Sequence, residues 1–382
     1  MKVAVIKLGS RISFNANDTS GGNGEARSII KMLHKGGAEV HIYTKILKKD
    51  NLVPEYHWHN MSDYKNDGHY IDADALVVLN GNVNFFGGAE DFEQLMNYLV
   101  INMFNGPVFY ILCDPELTLK QVWPSVEKKD WGSKWTERAL NIVRDDIIYL
   151  SQPYDVEKVI NDLGKNEIKP SKIIHYPFEQ FPCLNERLPF NETPKVDLSY
   201  GGTMRGGKRA KKMVKFYFGH PEDISVEMFG KIDLDDFMKI KSLKLDPTLR
   251  VPSFTGPVRY DEMLPKMNRA MAHCVIGDPF YEQINDMAQR AYESIWSNVV
   301  TFIDADLDKI RRVYGADKNL ADFLYVSSRD ELSEKIQLLK KSPETRREIV
   351  EAQIKAIAFD AGEYCTDFTT LLEVQREIWK QR

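Results

Sequence analysis

The sequence predicts an α/β protein of two doubly wound, Rossmann-like domains, and three observations carry that prediction. A β-loop-α-β series opens the chain, a second one starts near residue 196, and a proline-rich stretch without periodicity, Pro177–Pro194, separates them. Apolar runs alternating with segments of 3.6-residue period mark a parallel sheet covered by helices. The 382 residues, with 43% hydrophobic content and 11% aromatics, supply a core for each of two or three domains.

Lys2–Leu8 reads as a buried parallel strand. A polar, glycine-rich stretch follows to Gly24, then a helical pattern through Ile29, Ile30 and Leu33 that closes at Gly36-Gly37, and then a strand at Val40–Tyr43. Further strands are expected at Ala75–Leu79, Val108–Cys113 and Ile147–Leu150, with a helix over Asp91–Met103. After the proline-rich crossing come a strand (Val196–Tyr200), a helix (Lys208–Phe218) and strands at Ser225–Phe229 and His273–Ile276. A helix (Met287–Trp296) and a strand (Val299–Ile303) complete the series. The tail Cys365–Lys380 has helical spacing through Phe368, Leu371, Leu372, Val374 and Ile378, and is expected to pack back on the first domain. The domain boundaries expected are residues 1–185 with the helix 364–382, and residues 186–363.

Bulk properties exclude several classes. A net charge of −5 rules out whole-molecule attraction to nucleic acid, so any such partner needs local basic patches. Cys113, Cys183, Cys274 and Cys365 lie at least 70 positions apart with no Cys-x-x-Cys pair, which argues against a zinc ribbon or a disulfide framework. No apolar run approaches the roughly 20 residues of a membrane span, and Lys7 and Gly9 interrupt any signal-peptide stretch. A cytoplasmic protein without a membrane partner is expected.

Two doubly wound domains facing one another across a cleft form the GT-B arrangement of many glycosyltransferases, although periplasmic-binding-like proteins and some epimerases share the layout. The chemistry concentrates in Tyr200–Arg209, Tyr-Gly-Gly-Thr-Met-Arg-Gly-Gly-Lys-Arg, which follows a strand and opens a helix. From Gly201 to Lys215 it gathers Arg205, Lys208, Arg209, Lys211, Lys212 and Lys215 with no acidic residue. Glycines admit a diphosphate to the backbone, the helix N-terminus aims N–H groups at it, and arginines grip it bidentately. A solvated basic helix face is the plainer reading, and the spacing matches neither the P-loop nor Gly-x-Gly-x-x-Gly. Arg290 and Glu293, one turn apart on the predicted Met287–Trp296 helix, could neutralise phosphate and accept ribose hydroxyls, or could be an ordinary i,i+3 surface pair.

These blocks in order resemble the T-even phage DNA β-glucosyltransferase family. They are Tyr200–Arg209, Lys212-Met213-Val214, Phe229-Gly230, Phe254-Thr255-Gly256, Ile276-Gly277-Asp278 and Arg290-Ala-Tyr-Glu293, with Asn84-Phe85-Phe86-Gly87-Gly88 and Trp123-Pro124 in the first half. The resemblance implies the GT-B fold, with acceptor and DNA on residues 1–185 and UDP-sugar on 186–363. It implies inverting transfer of a sugar, glucose first, from UDP-sugar to the hydroxymethyl oxygen of 5-hydroxymethylcytosine in duplex DNA, with a divalent cation such as Mg2+ or Mn2+ bound through the diphosphate. It further implies a phage enzyme acting as a monomer in the host cytoplasm and shielding phage DNA from nucleases. Carried over by match, Arg205, Arg209 and Arg290 would hold the diphosphate and Glu293 the ribose. Gly202, Thr203, Phe229, Gly230 and Val258 would line the nucleotide pocket.

Asp114 ends the Val108–Cys113 strand, where ligands sit in open α/β sheets, and matches the family's catalytic aspartate. A cap for the turn at Pro115 is its structural alternative. Glu25, at the start of the first helix, matches a glutamate that touches the sugar, or is a first-turn helix glutamate. DNA contacts are expected from Phe86, Lys120, Trp123, Lys128 and Lys129, within a Lys120–Arg138 stretch that interleaves lysines with tryptophans. The target nucleotide would be flipped out. Glu116 stands where the family has an arginine, and Asn17–Gly24 differs from it. Both fall on the acceptor and sugar side, leaving a pentose donor such as UDP-arabinose, or a non-DNA acceptor, as alternatives. The Asp-x-Asp patterns at Asp72, Asp304 and Asp306 are too common to weigh, and His57-Trp58-His59 lacks a third metal ligand in sequence.

Overall fold

The computed structural model describes residues 1–7, 12–14, 21–46, 52–60, 71–79, 100–112, 144–152, 155, 172–202, 208–231, 249–277, 281–282 and 285–382. It divides into two units, Met1–Phe178 with Asp360–Arg382, and Glu179–Phe359.

The first unit holds seven strands: β1 (Lys2–Lys7), β2 (Glu39–Thr44), β3 (His57–Asn60), β4 (Ala75–Leu79), β5 (Val108–Leu112), β6 (Ile148–Ser151) and β7 (Lys172–His175). They form one parallel sheet in the order β3-β2-β1-β4-β5-β6-β7. The central strands are apolar on both faces because both faces are covered, as in Ala75–Leu79, where every residue is buried. One face packs Ala4, Ile6, Leu76, Val78, Val108, Tyr110 and Tyr149 into a single core. Helix α1 (Gly21–Lys35) links β1 to β2 and ends as expected at Gly37, whose φ of +88° suits glycine. The chain reverses direction across the sheet between β1 and β4.

The C-terminal helix, Ala361–Lys380, packs on this unit. Thr369 donates to the Gly36 carbonyl at 2.9 Å, Tyr176 to the Tyr364 carbonyl at 2.6 Å and Trp379 to Asp146 at 3.1 Å, and Arg376 pairs with Asp74. Its buried face is Tyr364, Cys365, Phe368, Thr369, Leu372 and Gln375. Val374 and Ile378, counted in the predicted stripe, are instead exposed. Polar partners explain the exchange, since Thr369 and Gln375 are buried with bonds to Gly36 and Lys172.

The second unit contains β8 (Val196–Gly201), β9 (Val226–Phe229), β10 (Ser253–Thr255), β11 (Ala270–Val275), β12 (Val300–Asp304) and β13 (Tyr325–Val326), parallel in the order β10-β9-β8-β11-β12-β13. Helices α2 (Lys208–Tyr217), α3 (Met263–Asn268) and α4 (Gln289–Trp296) connect them, followed by α5 (Lys318–Leu324), α6 (Arg329–Lys341) and α7 (Pro343–Ile357), which makes the C-terminal helix α8. Caps set the later helices. Asp317, Ser328 and Ser342 each accept from a backbone N–H of the first turn, with Pro343 starting α7.

The proline-rich stretch is more ordered than its composition predicted. Phe178–Leu184 forms a 3-10 helix around Pro182, burying Phe178, Phe181, Cys183 and Leu184. Among the described residues Cys183, Cys274 and Cys365 are free thiols, and no helix is long and apolar enough to cross a membrane.

Candidate donor-binding site

In the second sheet the chain runs outward from β8 through β9 to β10, then returns to β11 and runs the other way. The switch point lies between β8 and β11, and open parallel sheets bind ligands beyond the carboxyl ends of the strands there. Three side chains predicted from sequence, Arg209, Arg290 and Glu293, lie on the helices that follow these two strands.

Glycine allows the strand ends to close up. Gly202 (φ +149°) donates its N–H to the Phe229 carbonyl at 2.9 Å, and Gly230 (φ +135°) donates to Gly256 at 3.2 Å. A Cβ on Gly230 would meet the Gly202 carbonyl oxygen at 2.0 Å, so this backbone contact requires glycine. The tips of β8, β9 and β10 are thereby laced into one rim. Phe229 is 2% exposed, and a Cβ on Gly201 would meet its ring at 2.7 Å. It packs with Met267 and Val258, supporting the rim from below rather than presenting its ring to a ligand. Beside the rim is an open cavity of about 370 Å³ lined by Thr255, Gly256, Val258, Glu262, Lys266 and Arg269 among others.

Arg209, on the first turn of α2, donates from Nη2 to the Tyr200 hydroxyl at 3.0 Å. The Tyr200 ring lies nearly parallel to His273 of β11, with centroids 6.4 Å apart. Burial and then the positive charge of Arg290 drive His273 down to about 3, so its imidazole is neutral. Arg290 and Glu293 form an ion pair at 2.5 Å on α4. Burial raises the Glu293 carboxyl above its usual value, with Arg290 opposing the shift. Arg290 Nη1 and Glu293 Oε2, the two atoms of that ion pair, are buried and have only each other among the described residues. Polar groups in that condition are costly unless something else meets them. His273 was not singled out in the sequence, since one histidine in Ala-Met-Ala-His-Cys-Val looks like a core residue.

The basic cluster of the sequence separates into distinct roles. Lys212 is largely buried and tied to Glu282 and to fully buried Asp304. Desolvation would lower its ammonium, but the hydrogen bonds and charges of Asp304 and Glu282 outweigh burial and hold it above its ordinary value. It is a clamp between α2 and β12, unavailable to a phosphate. Lys211 and Lys215 are exposed. Thr203 and Arg205 lie outside the described residues, as do Asp114, Phe86, Lys120, Trp123, Lys128 and Lys129. Glu25 is half-buried at the fifth position of α1; the helix begins at Gly21, so Glu25 sits past the first turn where the sequence placed it. The acidic pairs set aside earlier are structural. Asp74 holds Arg376, and Asp308 accepts from the backbone of Arg312 and Val313 and from the Tyr325 hydroxyl.

Residues 1–183 match the family model described as bacteriophage T4 β-glucosyltransferase. The chain is 29% identical over 358 residues to the DNA β-glucosyltransferase of Enterobacteria phage T4, covering 92% of this chain and 93% of that protein. Among solved structures, T4 phage β-glucosyltransferase with UDP and Mn2+ matches at TM-score 0.72 and 23% identity, covering 97% of this chain and 99% of the other. An α-glucosyltransferase with UDP matches at TM-score 0.62 and 12% identity, covering 98% and 100%. The fold is GT-B, and the chain is a glycosyltransferase homologous to the phage DNA β-glucosyltransferases.

Proposed function

We propose that this homologue of the phage DNA β-glucosyltransferases transfers glucose from UDP-glucose, with inversion, to the hydroxymethyl oxygen of 5-hydroxymethylcytosine in duplex DNA. The observation that carries the donor half is the convergence of Arg209, Arg290 and Glu293 on the switch point between β8 and β11, beside a rim of strand ends closed by Gly202 and Gly230. Arg205, Arg209 and Arg290 hold the diphosphate, Glu293 accepts from the ribose hydroxyls, and Thr203 and Val258 line the nucleotide pocket with the two glycines.

Direct displacement needs a base for the acceptor hydroxyl and a stabilised leaving group. Asp114 takes the proton of the hydroxymethyl group as its oxygen forms a bond to the anomeric carbon. The bond from that carbon to the diphosphate breaks on the opposite face, and UDP leaves with its charge met by the arginines. Glu25 contacts the sugar. Among the described residues the only group of three metal-ligating side chains is Glu39, His41 and His57 in the first unit. On the donor side Glu282 and Asp304 are both engaged by Lys212. A divalent cation bound with the diphosphate would supply positive charge to the leaving group. Residues 1–185 bind DNA through Phe86, Lys120, Trp123, Lys128 and Lys129, with the target base flipped out, and the enzyme acts as a monomer.

The test is mass spectrometry of hydroxymethylated and unmodified duplex DNA after incubation with UDP-glucose or UDP-arabinose. A hexose gain confined to hydroxymethylated duplex is expected. A pentose gain would replace the donor, and no gain on any DNA would refute the acceptor.

A further inference from the structure

We propose that Glu39, His41 and His57 form a binding site for a zinc-class transition-metal ion on the β2–β3 edge of the first sheet. Parallel pairing sets His41 against His57 and Tyr43 against His59. The two-residue period of β2 puts Glu39 on the same face. Glu39 Oε1 lies 2.8 Å from His41 Nε2 and 3.6 Å from His57 Nε2, and all three ligand atoms fall within 4.8 Å of one another. A tetrahedral ion with bonds of about 2.0–2.1 Å separates its ligand atoms by roughly 3.3 Å; the His41 and His57 rings stack with centroids 4.5 Å apart, so half-exposed His57 must turn its ring to bring Nε2 onto a shared ion.

The surroundings are those of a built ligand set. His41 Nδ1 shares a 2.8 Å hydrogen bond with His59 Nε2, and His59 stacks on Tyr43 at 4.4 Å, which fixes the His41 ring from behind. Partners of that kind orient ligating histidines in metal sites. Glu39 and His57 are about half exposed, which provides an entry path and room for a water ligand. Lys2, the cation nearby, is committed to Asp72 at 2.8 Å. Two imidazoles and a carboxylate favour zinc, copper, nickel or cobalt, whereas Mg2+ and Mn2+ prefer oxygen donors. The site is thus distinct from a cation bound by a diphosphate. A bound ion would pin β3, an edge strand of four residues, to β2.

The experiment is calorimetric titration of the chelator-treated full chain with Zn2+, alongside Co2+ absorption spectra and thermal unfolding. One site is expected, with Zn2+ raising Tm, tetrahedral Co2+ bands, and no displacement by excess Mg2+. His57→Asn and Glu39→Gln alter half-exposed groups, so the fold should be kept as judged by circular dichroism. Each is expected to weaken Zn2+ by about tenfold or more and to remove the Tm rise. Wild-type protein without a stoichiometric site, or variants that bind Zn2+ as the wild type does, would overturn the proposal, leaving the carboxylate as a plain hydrogen-bond partner of His41.

Discussion

Gly230→Ala tests whether the laced strand ends make the donor pocket. At φ +135° a side chain is strained, costing about 1–3 kcal/mol. The added methyl would also sit 2.0 Å from the Gly202 carbonyl oxygen, where ordinary contact is 3.4–4 Å. One strand end must therefore move by more than an ångström. That displaces the Gly202–Phe229 and Gly230–Gly256 hydrogen bonds, each worth about 0.5–1.5 kcal/mol. The expected loss is about 2–5 kcal/mol of stability in denaturant unfolding, with UDP affinity by calorimetry down about tenfold or more in the folded fraction. Gly256→Ala is the control, since a Cβ there meets nothing within 4 Å; it should change stability by less than about 0.5 kcal/mol. Equal behaviour of the two variants, or a Gly230→Ala protein with wild-type Tm and UDP affinity, would refute the role given to the rim.

Arg209→Ala should weaken UDP at least about tenfold with a modest Tm change, whereas Lys212→Ala, which strands buried Asp304, should cost about 3–5 kcal/mol of stability; reversed effects on calorimetry and unfolding would exchange their roles. Arg290→Ala leaves Glu293 buried without its cation and should lose both Tm and UDP affinity, the affinity loss being smaller in Arg290→Lys, as binding isotherms would show. Burial raises Glu179 from 4.5 to about 7 against the opposing charge of Arg312. The folded state therefore holds its proton more tightly than the unfolded chain. Stability from this group is complete below about pH 4.5 and is lost as pH rises towards 7, by up to about 3 kcal/mol. Glu179→Gln should flatten unfolding free energy across that window, and an unchanged slope would reject the assignment. Asp114→Ala should abolish sugar transfer in a radiolabel assay and keep UDP binding; retained transfer would assign the base elsewhere.

Most of the fold was legible because parallel strands buried on both faces appear as continuous apolar runs. Ala75–Leu79 was located to the residue, and Val108–Leu112 and Val300–Asp304 to within one or two. The unread strands are all sheet edges: His57–Asn60, Lys172–His175 and Ser253–Thr255 with mixed polarity, and Tyr325–Val326, buried but only two residues long. Such strands pair on one side only and are too polar or too short to leave an apolar run. The 3-10 turn at Phe178–Leu184 was hidden by Pro182, which helical periodicity does not expect. In the site, the glycines and the Arg-x-x-Glu pair were visible as residue types. The commitment of Lys212 was not, because its partners Glu282 and Asp304 lie 70 and 92 positions away. The third ligand for His57 was invisible for the same reason, since only strand register brings Glu39 and His41 beside it.

The division between Lys212 and Arg290 explains how a basic, glycine-rich segment can serve both stability and ligand binding. Lys212 meets two carboxylates, one of them fully buried, so its charge is consumed within the protein and welds α2 to β12. Arg290 meets one carboxylate, stays about a quarter exposed, and lies close enough to His273 to help keep that ring neutral. A second proton on His273 would place another buried cation there, and its suppression spares the site that desolvation cost. Positive charge is thus fixed on guanidinium groups, whose planar donors match phosphate, while the ammonium is spent on the scaffold. A donor diphosphate meets charge already oriented by Tyr200 and Glu293, so little reorganisation remains to be done as the sugar leaves.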